Sequence, residues 1–195
     1  MIYLVVALAG YFIGSLPAAY VVMRLLTGRD IRTLGTGNVG VMNTVRNAGL
    51  PAGMIVFAAE GAKGIGAFAL GHALTGRAEG ALLAALAALI GVNWSAFLGF
   101  AGGRGTTLCA FVTAVVSPWI LLGCAALWMM VYAARRDNFT ATRINILGFP
   151  FIVLAVKQSW VSFAFAAAAS TIVLLRHDRS TDDHFQLAHQ PVRPD

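Results

Sequence analysis

Residues 1–23 read MIYLVVALAGYFIGSLPAAYVVM, an uncharged run that is long enough to cross a lipid bilayer. A transmembrane helix needs about 20 consecutive apolar residues. The apolar core of a cleaved signal peptide spans only about 7–15 residues and follows a basic start. We therefore expect this run to be the first membrane span of the protein.

The rest of the chain has the same apolar character. Hydrophobic residues make up 58% of its 195 residues and charged residues only 11%, against roughly 25% charged residues in an average soluble domain. This composition excludes a soluble enzyme, a disordered protein and a DNA-binding domain, and it makes the lipid bilayer an expected partner. The net charge of +6 then indicates membrane topology, because cytoplasmic loops collect Lys and Arg. No nucleic-acid partner is expected.

Apolar segments separated by polar turns predict an all-α, polytopic integral membrane protein with about seven transmembrane helices. Residues 49–75 and 80–100 form the second and third predicted spans. The uncharged run 105–134 has arginines beside both ends. It therefore either crosses twice as short helices hinged near Ser117 and Pro118, or enters the membrane and returns.

The final apolar stretch predicts a hairpin of two spans, with one polar break at Lys157 and Gln158. The basic residues that follow the first span place the next loop on the cytoplasmic side, with the N-terminus outside and the C-terminus cytoplasmic. These residues are Arg24, Arg29, Arg32 and Arg46. We expect residues 1–177 to form a single transmembrane domain and residues 178–195 to form a polar cytoplasmic tail. The sequence defines no oligomeric state.

The loop after the first span carries the residues best suited to bind an anion. It reads GRDIRTLGTGNVGVMNTVRNAG over residues 28–49. Gly35, Gly37 and Gly40 permit tight backbone turns, and successive backbone N–H groups in such turns form an anion-binding concavity. Neutral donors and phosphate-matching guanidinium groups accompany these glycines: Thr36, Asn38, Asn43, Arg32 and Arg46. The alternative is a glycine-rich turn whose arginines serve topology alone.

These residues resemble the motifs of the bacterial membrane acyltransferases that move an acyl group from acyl phosphate to glycerol 3-phosphate, the PlsY family. That family has G-S-x-P in its first span, followed by D-I-R and G-S-G-N-x-G-A-T-N-x-x-R. This chain has GSLP at 14–17, DIR at 30–32 and GTGNVGVMNTVR at 35–46. Thr36 replaces the family serine and keeps a hydroxyl group. The resemblance covers nearly the whole chain.

Two further stretches resemble motifs of the same family. Residues 60–64, EGAKG, are similar to the family's D-x-x-K-G. Glu60 and Lys63 share a helix face, so they form either a structural pair or part of the site lining. Residues 91–105, GVNWSAFLGFAGGRG, are similar to a second phosphate loop of the family. There Arg104 stands for the family lysine and Val92 for the family histidine.

The end of the last span resembles the family's R-H-x-x-N motif, with His177 conforming and Ser180 in place of the asparagine. The resemblance implies that the first loop holds acyl phosphate and that Arg46, Arg104 and His177 hold glycerol 3-phosphate. Ser180 is the fourth expected catalytic residue. The expected phosphate-binding residues are Thr36, Gly37, Asn38, Gly40, Asn43, Gly102, Gly103 and Gly105.

The family implies an enzyme of phospholipid synthesis in the bacterial inner membrane that makes lysophosphatidic acid. No cofactor and no metal site are expected, because the sequence contains no metal-ligand cluster. Two alternatives remain open at this point. The departures at Val92 and Ser180 favour a non-catalytic family member that binds phosphate or lipid. A small transporter could use Glu60 and Lys63 along its path, although no internal repeat of the kind common in transporters is present.

Overall fold

The computed structural model describes residues 1–178, and all of their regular secondary structure is helical. The expectation of an all-α fold is therefore confirmed. The eight α-helices of the described residues are α1 Ile2–Ser15, α2 Ala18–Thr27, α3 Val41–Thr75, α4 Ala78–Asn93, α5 Thr106–Val116, α6 Pro118–Arg135, α7 Asn138–Lys157 and α8 Trp160–Arg176. Short 3-10 turns at Ile31–Thr33 and Ala96–Leu98 lie in the loops after α2 and α4.

Five helical stretches of the described residues are long and apolar enough to cross a membrane, and two shorter apolar helices, α5 and α8, accompany them. The long stretches are Ile2–Thr27, Val41–Thr75, Ala78–Leu98, Pro118–Arg135 and Asn138–Lys157. With α5 and α8 included, the described residues contain seven apolar segments, five of which have the length of a full span. With a rise of about 1.5 Å per residue, α5 extends roughly 16 Å, about half of the hydrocarbon thickness of a bilayer.

Two predicted helix boundaries, the hinge near Ser117 and the break at Lys157, occur where the sequence placed them. Ser117 separates α5 from α6, with Pro118 as the first residue of α6. Proline suits this position because its fixed φ fits the first helical turn and its missing N–H is not needed there. Lys157 ends α7, and Gln158 has a left-handed backbone with φ of 49°. Both the hinge and the hairpin are thus formed.

Helix α3 contains a break that separates its first residues, 41–48, from its apolar part. Gly49 has φ of 83° within the helix, and Pro51 follows two residues later. A proline inside a helix removes one backbone donor and clashes with the preceding turn, and glycine tolerates the positive φ that results. The helix of residues 41–48 therefore precedes the apolar span that the sequence predicts from residue 49.

Close backbone contact joins α1 to α4. A Cβ atom added to Gly10 or to Gly14 would collide with the backbone of Ala84 or of Ala88, respectively. Small residues at such contacts let transmembrane helices approach closely, which increases their van der Waals attraction. The first and third spans thus form a tightly packed pair on which the two loops rest.

Lys63 of α3 stabilises the broken end of α1. Its ammonium group contacts Leu16 O at 2.8 Å, Gly14 O at 3.2 Å and Glu60 Oε1 at 2.7 Å. Pro17 interrupts the first span, so the carbonyl groups of the last turn of α1 need donors from elsewhere. The three N–H donors of the ammonium group are matched by these three acceptors.

Candidate functional site

The first glycine loop is held in shape by the amide of Asn43. This side chain is fully buried, and its Nδ2 lies 3.3, 3.0 and 2.9 Å from the carbonyl oxygens of Ile31, Leu34 and Asn38. Its Oδ1 accepts a hydrogen bond from Asn47 at 3.0 Å. The amide of Asn43 is therefore directed at the loop backbone, and its expected direct contact with a phosphate stays a prediction.

The start of the same loop is fixed by an ion pair between Asp30 and Arg32 at 2.6 Å. The hydrogen bond from Arg32 lowers the pKa of the Asp30 carboxyl group below its ordinary value. Arg32 also donates to Leu98 O at 3.3 Å. This contact connects the loop after α2 with the loop after α4.

The second glycine loop packs against the end of α4. Gly103 donates its N–H to Val92 O at 2.9 Å, and a Cβ on Gly102 would collide with the carbonyl oxygens of Val92 and Asn93. Gly105 has φ of 72°, a conformation that favours glycine. Only small residues can hold this loop so close to the helix.

A cavity of about 90 Å³ lies between the two glycine loops. Its lining consists of Asn38, Val39, Gly40, Val41, Met42, Glu60, Val92, Arg104, Gly105, Thr106 and Thr107. A single water molecule needs only about 10–15 Å³, so the cavity has room for a small polar group such as a phosphate. It is therefore the natural candidate for the site predicted from the sequence.

Two helices begin at this cavity. Gly40 is the N-cap of α3 and Gly105 the N-cap of α5, and no side chain of the described residues caps either helix. The first N–H groups of a helix have no intrahelical acceptor, and the helix dipole adds partial positive charge at the same end. With Arg104 in the same cavity lining, the two helix ends are suited to bind an anion.

Helix α5 reaches this position because α3 presents glycines to it. A Cβ on Gly61 would lie 2.7 Å from the ring of Phe111, and one on Gly64 would lie 2.9 Å from Leu108. Larger residues at these positions would push α5 away from α3. The convergence of the two helix N-termini therefore depends on a contact inside the bundle.

The structure brings together only part of the expected site residues. Four of them line the cavity, namely Asn38, Gly40, Arg104 and Gly105. Others contact the loop backbone and do not line the cavity. Thr36 accepts a hydrogen bond from the Asn38 N–H at 3.3 Å. The backbone is shaped by Gly37, Asn43, Gly102 and Gly103. Arg46 is half-buried on α3 and is not among the described residues that line the cavity.

His177 joins the site through Arg104. Its side chain is buried, and its Nδ1 lies 3.4 Å from Nη1 of Arg104. The ring of Phe139 stacks on the imidazole with centroids 4.6 Å apart. The ends of α7 and α8 thus meet the second glycine loop. Ser180 and nearly all of the predicted polar tail lie outside the described residues.

Three residues of the site were missed by the sequence analysis as ligands or supports, and a fourth, Arg176, was noted only as the arginine of the R-H-x-x-N motif. Thr106 and Thr107 form the first turn of α5 at the cavity. Asn93 donates to Leu89 O at 2.8 Å and to Arg104 O at 3.4 Å, and Arg176 donates to Gly102 O at 3.2 Å. The Gly-Thr-Thr sequence at 105–107 is a start signal for a helix, and it could have indicated the second N-terminus.

Two apolar cavities lie within the bundle, with volumes of about 100 and 170 Å³. They share Cys109, Thr113, Phe149 and Ala169 in their linings. Thr106 lines both the larger apolar cavity and the anion cavity. A polar site and an apolar space therefore meet at the first residue of α5.

A helical membrane bundle with an anion site beside an apolar space defines a protein suited to a phosphate-bearing lipid or lipid precursor. The chain belongs to the glycerol-3-phosphate acyltransferase family, whose profile matches residues 4–186. The family resemblance drawn from the motifs is confirmed.

Relatives and a solved structure agree with this family. Glycerol-3-phosphate acyltransferase 2 of Moorella thermoacetica is 40% identical over 169 residues, which cover 86% of this chain and 87% of that protein. Glycerol-3-phosphate acyltransferase 1 of Dehalococcoides mccartyi is 40% identical over 174 residues, covering 86% and 82%. The crystal structure of PlsY (YgiH), an integral membrane glycerol 3-phosphate acyltransferase in its glycerol 3-phosphate form, matches with a TM-score of 0.81 at 23% identity. This match covers 97% of this chain and 94% of that one. The likeness to that structure establishes a shared fold.

Proposed function

We propose that this protein transfers a fatty acyl group from acyl phosphate to the 1-hydroxyl of glycerol 3-phosphate, which yields lysophosphatidic acid and inorganic phosphate. The observation that carries the proposal is the cavity between the N-termini of α3 and α5, with Arg104 beside it and apolar space next to it. Both substrates carry a phosphate, and one also carries an acyl chain. Family membership supports the same reaction.

The two glycine loops divide the substrates between them in this proposal. The first loop, with Thr36, Gly37, Asn38, Gly40 and Asn43, holds acyl phosphate, and within it Asn43 acts by fixing the backbone. The second loop, Gly102, Gly103 and Gly105, holds glycerol 3-phosphate together with Arg46, Arg104, His177 and Ser180. Arg104 is the principal cation, because its side chain lines the cavity and contacts His177.

The reaction needs no covalent intermediate with the protein. The 1-hydroxyl oxygen of glycerol 3-phosphate attacks the acyl carbonyl carbon, and the bond between that carbon and the phosphate oxygen breaks. The hydroxyl proton passes to the departing phosphate. Fixing both anions in one cavity gives the reacting groups a high effective concentration, and the helix ends and Arg104 stabilise the charge on the phosphate as it leaves.

The acyl chain occupies the apolar space between α5, α7 and α8 in this arrangement. Thr106 marks the junction, because it lines both kinds of cavity. Each methylene group buried there contributes about 0.8 kcal/mol. Chain binding therefore supports the affinity for the donor substrate without involving the cationic residues.

Purified protein in detergent, supplied with palmitoyl phosphate and labelled glycerol 3-phosphate, tests this function. We expect formation of labelled lysophosphatidic acid that depends on acyl phosphate and does not occur with palmitoyl-CoA. Phosphate binding without product would contradict the proposal and favour the non-catalytic alternative, for which Val92 in the cavity lining is the specific observation.

We further propose that both loops face the cytoplasm of a bacterial cell, with the protein in the inner membrane and its N-terminus outside. Arginines are frequent in and beside these loops, as the positive-inside rule requires. Single cysteines placed at Thr33 or Gly103 should be protected from an impermeant thiol reagent in intact cells, and one at Ala78 should react. Reaction at Gly103 from outside would contradict this orientation.

A further inference from the structure

One carboxylate in the anion cavity has no role in the proposed function so far. Glu60 lines the cavity together with Arg104 and the first residues of α5. Its side chain is only 8% exposed. A carboxylate in a cavity built for phosphate needs an explanation, since it repels the anion that the helix ends attract.

Pairing with Lys63 accounts for only one of the two carboxylate oxygens. Oε1 lies 2.7 Å from the ammonium group of Lys63, which also contacts Gly14 O and Leu16 O. Oε2 is buried and has no hydrogen-bond partner among residues 1–178. Buried polar atoms are nearly always satisfied, and a charged oxygen without a donor is costly. The position of Glu60 in the cavity lining indicates that a ligand supplies this donor.

We propose that Glu60 Oε2 accepts a hydrogen bond from the 2-hydroxyl of glycerol 3-phosphate and so selects the acceptor substrate. This inference rests on the proposed function. Acyl phosphate offers no hydroxyl donor, so the contact is specific for the acceptor. The phosphate of the acceptor lies toward Arg104 and the helix ends, and its 1-hydroxyl faces the acyl carbonyl. The 2-hydroxyl is the donor that remains for Glu60.

The same contact explains why a carboxylate is compatible with this site. Lys63 compensates the charge of the Glu60 carboxylate from the side of α1, so the pair as a whole is neutral. A hydrogen bond to a charged oxygen is stronger than one between neutral groups. A site built to bind a substrate hydroxyl strongly disfavours an analogue that lacks it.

The test compares two acceptors, glycerol 3-phosphate and 3-hydroxypropyl phosphate, which lacks only the 2-hydroxyl. With palmitoyl phosphate as donor, we expect the wild type to prefer glycerol 3-phosphate by at least about ten-fold in kcat/KM. Glu60→Gln should reduce this preference to within about three-fold, mainly by lowering kcat/KM for glycerol 3-phosphate. Glu60→Asp keeps the charge, but its shorter side chain withdraws the oxygen from the cavity, so it should also reduce the preference for glycerol 3-phosphate. This second variant provides the test if Glu60→Gln does not fold.

Glu79→Gln is the matched control, because Glu79 is an exposed carboxylate at the start of α4. The preference of this variant for glycerol 3-phosphate over 3-hydroxypropyl phosphate should equal that of the wild type. Equal losses on both acceptors in the Glu60 variants would overturn the inference and leave Glu60 as a partner of Lys63 alone. A wild type that uses the two acceptors equally well would also overturn the inference. If the wild type acylated neither acceptor, the proposed function would fail, and calorimetric affinities of the two phosphates for the same proteins would still decide the inference.

Discussion

The half of the bundle formed by α1–α4 is packed differently from the half formed by α5–α8. In the first half, glycines of α1 contact the backbone of α4 directly, and most residues of the Ala78–Leu98 span are buried. In the second half, 6% of α6 is buried. Its glycine contacts are with side-chain ends, such as that of Gly148 with Leu127. The larger apolar cavity is lined by α5–α8 alone, whereas the smaller one lies between these helices and α4.

This difference matches the demands of two kinds of ligand. A phosphate has one size and a fixed charge, so a rigid set of helix ends and loops can bind it with little reorganisation. Acyl chains are flexible and vary in length, so loosely packed helices with internal space suit them better. In the proposed function, the tight half therefore positions the reacting groups, and the loose half accommodates the acyl chain.

The largest effect on activity is expected when Arg104, the cationic residue of the anion cavity, is replaced. Arg104→Ala should lower kcat/KM for glycerol 3-phosphate by about 100-fold or more, since charge-assisted hydrogen bonds contribute roughly 1.5–3 kcal/mol each. Arg104→Lys introduces the residue of the family motif and should stay within about ten-fold of the wild type. Arg135→Ala removes an exposed arginine at the end of α6 and should leave kcat/KM within about two-fold. Full activity of Arg104→Ala in a steady-state assay would contradict the assigned site.

A smaller effect is expected in the loose half. Ala169 lines both apolar cavities, and Ala169→Phe should fill part of the space for the acyl chain. We expect kcat/KM for palmitoyl phosphate to fall about ten-fold, the equivalent of fewer than two methylene groups at about 0.8 kcal/mol each. The kcat/KM for decanoyl phosphate and the KM for glycerol 3-phosphate should change little. Ala126→Phe on the exposed face of α6 is the control, and equal losses for all chain lengths would rule out this placement of the chain.

The smallest effect on activity, but a clear one on stability, is expected at the contact of α1 with α4. Gly10→Ala places a methyl group against the backbone of Ala84, and such overpacking costs about 1–3 kcal/mol. The melting temperature in detergent should fall by several degrees. Gly66→Ala on α3 meets no atom within 4 Å, so its melting temperature should be unchanged or slightly higher. Equal melting temperatures for the two variants would contradict the tight contact of α1 with α4.

The sequence predicts the elements whose causes are local. Pro118 and the polar pair at Lys157 and Gln158 mark helix ends because their effects act within one turn. The glycine loops are recognisable because several residues with positive-φ freedom and donor side chains follow one another within residues 35–43. The all-helical membrane fold follows from composition and from the length of the apolar runs.

Features that depend on tertiary packing could not be predicted in this way. The meeting of the α3 and α5 N-termini depends on the contact of Gly61 and Gly64 with α5. The sequence places Asn43 near a phosphate but does not show that its amide is directed at three loop carbonyls. Likewise, the spacing of Glu60 and Lys63 predicts their pair, whereas only the packing shows that Glu60 lines the cavity and that one of its oxygens has no partner among the described residues.

The most direct test of the central claim is a crystal structure of the wild-type protein with glycerol 3-phosphate bound. The account predicts phosphate density in the cavity between the first turns of α3 and α5, within hydrogen-bond distance of backbone N–H groups in 105–107 and of the Arg104 guanidinium group. Density for the phosphate at any other place, with this cavity empty, would contradict the claim that the two helix ends form the substrate site.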